Sequence, residues 1–80
     1  MNAFSLAKQQ IVMNIKNDAF FFSYGTLIAK KENNKIYLDS KYWDYSQTTL
    51  KYLKMFLETN ESKQEIKNND KYIFVNLQEQ

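Results

Sequence analysis

Hydrophobic and polar residues alternate with a period of two through most of the first half of the chain. Such alternation is typical of strands that bury one face. It predicts a first strand from about residue 9 to residue 16, a longer second strand over residues 20–29, and a third strand carrying Ile36 and Leu38. The last apolar run, KYIFVNL, predicts a fourth strand that is interior or covered on both faces.

Asparagine supplies most of the predicted turns, because the chain has no proline and Gly25 is its only glycine. Asparagine tolerates the left-handed backbone conformation better than most non-glycine residues. Residues 17–18, 33–34 and 68–70 each separate two apolar runs, which predicts three connections. Gly25 falls inside the predicted second strand, where a glycine commonly marks a β-bulge.

The apolar period changes to that of a helix after Tyr45. Asp44 and Ser46 are both favourable N-cap residues, and the helix is predicted to end at Thr59 or Asn60. On a helical wheel the apolar residues of this segment share one side, and polar residues occupy the other. The apolar side comprises Leu50, Leu53, Phe56 and Leu57.

The remaining segments are short. A second helix is predicted within residues 61–69 and is held to the core by Ile66. A flexible arm is predicted over residues 1–8 and a loose tail over residues 78–80. A helical interpretation of the arm stays open, because Phe4, Ala7 and Ile11 also stand at helical spacing.

Together these elements predict one domain over residues 1–80, of the α+β class, with the order β-β-β-α-α-β. The strands would form a small antiparallel sheet with both helices packed on one face. The pattern does not determine which strand pairs with the last one. Phe20, Phe21 and Phe22 place rings on both sides of the second strand, so we expect either a homodimer or a covered second face.

Composition bounds the cellular context. The chain has no cysteine, which excludes disulfides and thiolate metal sites. Its first ten residues lack the basic and apolar regions of a secretory signal, and no apolar run approaches the ~18 residues that span a bilayer. We therefore expect a protein of the cytoplasm with no membrane partner.

The residue types present argue against an enzyme. The absence of histidine, cysteine and arginine removes the commonest general base, the thiol nucleophile and the usual clamp for phosphoryl transfer. Asp39 and Asp44 could approach each other at the corner before the helix, but capping of the helix by Asp44 is the simpler interpretation. We predict no catalytic residues, no cofactor and no metal site.

The stretch KYWDYS, residues 41–46, concentrates aromatic rings where the third strand gives way to the helix. Rings at such a corner can pack between sheet and helix, so Trp43 and one of its tyrosine neighbours are predicted to be buried. The other rings are predicted to form a partly exposed protein-binding patch, because Trp and Tyr dominate many protein–protein interfaces. The candidate protein-binding residues are Tyr24, Tyr37, Tyr42, Trp43 and Tyr45.

Nucleic-acid binding is the alternative function. Lys30, Lys31 and Lys35 flank one predicted turn, and Tyr24 and Tyr37 could lie beside them as stacking platforms for a single strand. Against this interpretation, a glutamate lies within the lysine group and the formal net charge is only +2. The sequence therefore predicts at most a weak, sequence-nonspecific single-stranded nucleic-acid-binding module on this surface.

Much of the chain, from about residue 11 to residue 77, resembles a family of small uncharacterised proteins encoded by phages and prophages of low-GC bacteria. The resemblance rests on the segments SYGTLIA, IYLD and YWDYSQTT, followed by a helix that ends in FL. The family is a domain of unknown function. The resemblance therefore implies a phage origin and the cytoplasm of a host cell, but no catalytic or binding residues.

Phage proteins of this size often occupy a surface of a host protein, so the resemblance also implies a function. We predict a non-catalytic protein that binds a host protein, as an inhibitor of a host defence or nucleic-acid-handling complex in the manner of an anti-CRISPR protein. Such an inhibitor could present Glu58, Glu61 and Glu65 in place of phosphates. A solvated helix junction is the plainer interpretation of these glutamates.

Overall fold

A computed structural model describes residues 2–78, which contain six strands in a single sheet. The strands are β1 (Asn2–Ala7), β2 (Gln10–Ile15), β3 (Asp18–Ser23), β4 (Thr26–Glu32), β5 (Lys35–Asp39) and β6 (Tyr72–Val75). They stand in the sheet in chain order, from β1 at one edge to β6 at the other, so the prediction of an interior last strand is wrong. Neighbouring strands are antiparallel, except that β5 and β6 are parallel.

Two helices, α1 (Gln47–Leu57) and α2 (Lys63–Asn68), connect β5 to β6. Ser46 is the N-cap of α1, and its Oγ accepts a hydrogen bond from the backbone N–H of Thr49 at 3.1 Å. Ser62 and Glu65 form a capping box at the start of α2. The structure therefore keeps the predicted combination of a mostly antiparallel sheet with two helices, but the order is β-β-β-β-β-α-α-β.

The predicted long second strand is a hairpin of β3 and β4. Tyr24 and Gly25 form its two-residue turn with φ angles of 51° and 81°, and Ser23 pairs with Thr26 across it. Positive φ at both central positions suits a tight hairpin, because the turn then matches the twist of the strands. Gly25 thus marks a turn, and the register of the hairpin shifts instead at Ile28.

The residues predicted to form a flexible arm include β1, which pairs with β2 through a turn in which Gln9 has a φ of 65°. The pairing with β2 supplies the backbone hydrogen bonds that the local sequence does not reveal. Met1 of the predicted arm lies outside the described residues, as do residues 79 and 80 of the predicted tail. Gln78 is tied to the sheet, since its Nε2 donates to the carbonyl oxygen of Leu27 at 2.7 Å.

The last strand pairs with β5, and Leu38 is the partner of Phe74 in that register. A parallel pair needs a connection that returns to the same end of the sheet, which a tight turn cannot provide. The two helices form this connection, so β6 is placed beside β5 by the whole segment from residue 40 to residue 71.

One side of the sheet packs against α1. Phe21, Ala29 and Leu38 are cross-strand neighbours on β3, β4 and β5 and point to the same side. All three are fully buried, and the ring of Phe21 stacks on that of Phe56 with centroids 5.7 Å apart. We name this side the helix face. Its core also includes Val12, Ile28, Trp43, Leu53, Leu57, Ile66 and Tyr72.

The other side of the sheet carries the alternate residues of the same strands, and we name it the open face. Phe20, Lys30, Tyr37 and Ile73 are neighbours across it from β3 to β6. All four remain partly exposed, unlike their buried neighbours on the helix face. Within residues 2–78, no helix is long and apolar enough to cross a membrane.

Candidate functional site

The aromatic corner after β5 divides into a buried part and an exposed part. Trp43 is buried, its ring meets that of Phe74 edge to face at 5.2 Å, and its backbone N–H donates to the Asp39 carbonyl oxygen at 3.1 Å. Tyr45 is 67% exposed and contacts Tyr42, which is partly buried, in an edge-to-face pair at 6.0 Å. Trp43 therefore stabilises the corner, while the two tyrosines face a groove.

Tyr24 reaches the same groove from the β3–β4 turn and is 54% exposed. The groove has a volume of about 220 Å³ and lies between that turn, the corner and the start of α1. We name it the tyrosine groove. Its lining consists of Ser23, Tyr24, Thr26, Ile28, Tyr42, Tyr45 and Thr49.

Among the hydroxyl-bearing residues that line the tyrosine groove, Ser23 and Thr49 are the buried ones. Ser23 Oγ and Thr49 Oγ1 share a hydrogen bond of 2.9 Å, and Ser46 Oγ donates to Thr49 Oγ1 at 3.1 Å. Ser23 and Thr49 are almost completely buried, so their hydroxyls satisfy each other and not solvent. The groove thus combines exposed phenol rings and the aliphatic Ile28 with hydroxyls, a lining suited to a side chain of mixed polarity.

Asp39 holds the corner in place. Its Oδ2 accepts from the backbone N–H groups of Lys41 at 3.1 Å and Tyr42 at 2.8 Å, and its Oδ1 accepts from Leu77 N–H at 2.8 Å and Gln78 Nε2 at 3.2 Å. Burial raises the pKa of the Asp39 carboxyl, but these four hydrogen bonds outweigh burial and hold that pKa below its usual value.

The second carboxylate considered for catalysis has a different partner. Asp44 Oδ2 lies 3.1 Å from Lys63 Nζ in α2, and the N-cap of α1 is Ser46. Asp39 serves the backbone of the corner, whereas Asp44 pairs with a lysine. Within residues 2–78, no group of three or more His, Cys, Asp or Glu side chains is arranged to hold a metal ion.

Tyr37 does not join the other candidate tyrosines. It lies on the open face of β5, where its cross-strand neighbour is Lys30 and the Lys30 ammonium stands 5.2 Å from the ring centroid. Lys30 also pairs with Glu32 at 3.6 Å. The protein-binding candidates are therefore split between the tyrosine groove, the core and the open face.

The three candidate lysines do not form one surface either. Lys31 points to the helix face, because adjacent residues of a strand alternate. Its Nζ donates to the Phe56 carbonyl oxygen at 2.8 Å and lies 4.7 Å from that ring. Lys35 is exposed and is the cross-strand partner of Glu32, so it lies beside Lys30.

A carboxylate network between the helices was not predicted from the sequence. Glu61 accepts hydrogen bonds from the Tyr72 hydroxyl at 2.6 Å, the Asn69 amide at 2.8 Å and the Thr59 hydroxyl at 2.9 Å. These bonds, with that of Tyr72 the largest, lower the pKa of Glu61 to about 2. Burial and then the bond to Glu61 raise the pKa of Tyr72 to about 12.

Of the glutamates considered as phosphate mimics, Glu61 and Glu65 have partners for their carboxylates, whereas Glu58 acts through its backbone. Glu65 belongs to the capping box of α2, and Glu58 is the left-handed C-cap of α1 with a φ of 58°. The groove residues Ser23 and Thr49 were also missed, because 26 positions separate them and each looks like an ordinary polar residue of its own element. No local signal links the two.

The fold and this site define a small sheet-rich α+β protein with an aromatic, hydroxyl-floored groove. The chain belongs to the family of unknown function DUF8033, which matches residues 2–75. Neither the curated proteins nor the solved structures give a match.

Proposed function

We propose that this chain is a non-catalytic protein-binding module whose contact site is the tyrosine groove. The observation that carries the proposal is the meeting of Tyr24 with Tyr42 and Tyr45, which come from a hairpin turn and a distant corner, around one hollow of about 220 Å³. Two of these rings are more than half exposed although neither is needed to fill the core.

Tyrosine suits such a contact for physical reasons. Its ring offers a large rigid surface at little cost in side-chain entropy, and its hydroxyl makes a directional hydrogen bond at the edge of the interface. A hollow of this volume is near the size of a single side chain, so a partner residue inserted between the rings would be enclosed on several sides. Enclosed aromatic contacts carry a large share of interface energy.

The resemblance to phage and prophage proteins supports a host protein as the partner, in the cytoplasm of the host cell. We include in the proposal that binding inhibits a host defence or nucleic-acid-handling complex in the manner of an anti-CRISPR protein. The chemistry of the groove does not depend on that further step, so binding and inhibition are tested separately.

Binding is tested by comparing three immobilised baits in a host lysate, namely the native chain, the double variant Tyr24→Ala/Tyr45→Ala and the control Tyr37→Ala. We expect a host protein that the native and control baits retain and the double variant loses. With that protein purified, removal of two hot-spot rings should weaken binding at least about thirty-fold. A set of captured proteins that is the same for all three baits would overturn the proposal.

Single-stranded nucleic-acid binding stays a second candidate, because Lys30, Tyr37 and Phe20 are neighbours on the open face. Rings beside a cation can stack bases and contact phosphate. A labelled single-stranded oligonucleotide at ~50 mM salt tests it, since phosphate contacts weaken steeply with added salt. Binding that Lys30→Ala and Tyr37→Ala abolish would favour this function; no binding at low salt would eliminate it.

A further inference from the structure

The sheet ends at β1, and within residues 2–78 no strand pairs with the outer side of β1. The backbone N–H and C=O groups on that side have the spacing that another extended strand can pair with. Asn2, Ala3, Phe4 and Ser5 are all exposed and keep a regular register with β2, and the register shifts only between Ser5 and Ala7. The edge is therefore long enough to accept a strand over at least four residues.

This edge lacks the charges and prolines that protect many edge strands, although its register with β2 shifts between Ser5 and Ala7. Natural edges commonly carry lysine, proline or an inward-pointing charge that discourages pairing. The six residues of β1, NAFSLA, include no charged residue and no proline. The opposite edge of the sheet is shorter, because β6 has only four residues; it directly follows the charged pair Asp70 and Lys71, whereas β1 is followed by the single charge of Lys8. Of the two edges, β1 is the one suited to strand addition.

A hollow beside β1 adds a requirement for side chains. Phe4 and Met55 are 48% and 51% exposed, and both line a cavity of about 210 Å³ between β1 and the end of α1. Phe4 pairs with Val12 and so points to the helix face. A strand that adds to β1 would therefore place an apolar residue favourably on the helix face.

We propose that the added strand is β1 of a second copy, so that two chains pair antiparallel about a twofold axis into a continuous twelve-stranded sheet. β1 itself carries the apolar residues Phe4 and Leu6 on the helix face, so a second β1 strand fits this edge. In a register centred on Phe4, the two Phe4 side chains meet on the helix face; in one centred on Ser5, Phe4 of each chain faces Leu6 of the other. On the open face, Ala3 faces Ser5 in the first register and Ser5 faces Ser5 in the second, and no charge opposes its own copy. The pairing is independent of the tyrosine groove.

Sedimentation velocity from micromolar to near-millimolar concentration tests this pairing. We expect the native chain to dimerise, and Ser5→Lys or Ser5→Glu to be monomeric over the same range, because two like charges then meet near the twofold axis. An equimolar mixture of the Lys and Glu variants should dimerise again. Such a rescue requires Ser5 of one chain to lie close to that of the other.

Two controls isolate the charge at the edge. Ser5→Ala loses the hydrogen bond from Ser5 Oγ to the Ala7 carbonyl oxygen, as both charged variants do, and should still dimerise. Gln64→Lys adds a charge at an exposed position of α2 and should leave the dimer intact. A native chain that stays monomeric at the highest concentration would overturn the proposal. So would a dimer that Ser5→Lys leaves unchanged, since another surface would then hold it.

Discussion

The two faces of the sheet carry similar numbers of apolar side chains but differ in what those side chains contact. On the helix face, Phe21 is fully buried and stacks on Phe56. On the open face, Phe20 and Phe22 stand on either side of Phe21 in the same strand and stay partly exposed. Three consecutive phenylalanines of one strand thus lie in two environments. Phe21 is covered by a helix, whereas Phe20 and Phe22 are shielded by their neighbours in the sheet.

The difference teaches where stability resides and where binding surfaces remain. An 80-residue domain has about 4–12 kcal/mol of stability, and the helix face supplies its close-packed core. We expect the open face, the tyrosine groove and the β1 edge to contribute less to folding, because many of their side chains stay partly exposed. Matched substitutions on the two faces measure this difference in their contribution to stability.

The largest effect is expected from Phe21. Phe21→Ala should cost about 3–5 kcal/mol, because it leaves a cavity against Phe56. Phe22→Ala, next to it on the open face, should cost about 1 kcal/mol, since only partial burial is lost. Urea unfolding followed by far-ultraviolet circular dichroism measures both. Phe21→Leu, a milder change, keeps the series measurable if the alanine variant does not fold.

Equal costs for Phe21→Ala and Phe22→Ala would contradict the comparison. That result would mean that the open face is as well covered as the helix face. A cost for Phe22→Ala that grows with protein concentration would point instead to self-association through the open face.

A smaller, pH-dependent effect is expected from Asp39. Its carboxylate accepts hydrogen bonds from residues 41, 42, 77 and 78 at the end of β5. At neutral pH, Asp39→Asn should cost about 2 kcal/mol, because a carboxylate that accepts buried hydrogen bonds is lost. The folded pKa of Asp39 lies below the model-compound value of 3.8, so its stabilisation is complete above that pH. It is lost as the pH falls through the folded pKa.

Urea unfolding of the native and Asp39→Asn chains from neutral to strongly acidic pH measures this effect. The gap between the two free energies of unfolding should narrow as the pH falls below about 3.8, because a protonated aspartate resembles asparagine. Asp44→Asn is the control, since that carboxylate forms a partly exposed ion pair with Lys63. A gap that stays constant with pH would show that the ionised form of Asp39 gives no advantage.

The local pattern predicted α1 well and the β3–β4 region poorly, for one physical reason. A helix is specified by neighbours three and four residues apart, and the leucine stripe and Ser46 are all visible there. A hairpin with a two-residue turn interrupts the period of two so briefly that FFFSYGTLIA looks like one strand. Gly25 was the available signal, and it fits a turn as well as a bulge.

The sequence offered the tyrosines of the groove as candidate residues but did not predict how they are arranged. The prediction of a partly buried, partly exposed aromatic cluster agrees with the burial of Trp43 and the exposure of Tyr24 and Tyr45. Their convergence depends on the hairpin turn, which the sequence pattern concealed. The same hypothesis also included Tyr37, which lies instead on the open face of β5 beside Lys30.

The smallest effect is expected from two adjacent lysines of β4 that point to opposite faces. Lys31→Met removes the hydrogen bond that Lys31 Nζ donates to the Phe56 carbonyl oxygen near the end of α1. It should lower the free energy of unfolding by about 1 kcal/mol. Lys30→Met removes a partly exposed ion pair with Glu32. It should lower the free energy of unfolding by at most about 0.3 kcal/mol. Both variants lose one charge and keep an apolar stem, so differences in net charge cancel. Equal costs in urea unfolding would show that the bond to the helix contributes nothing beyond the surface ion pair.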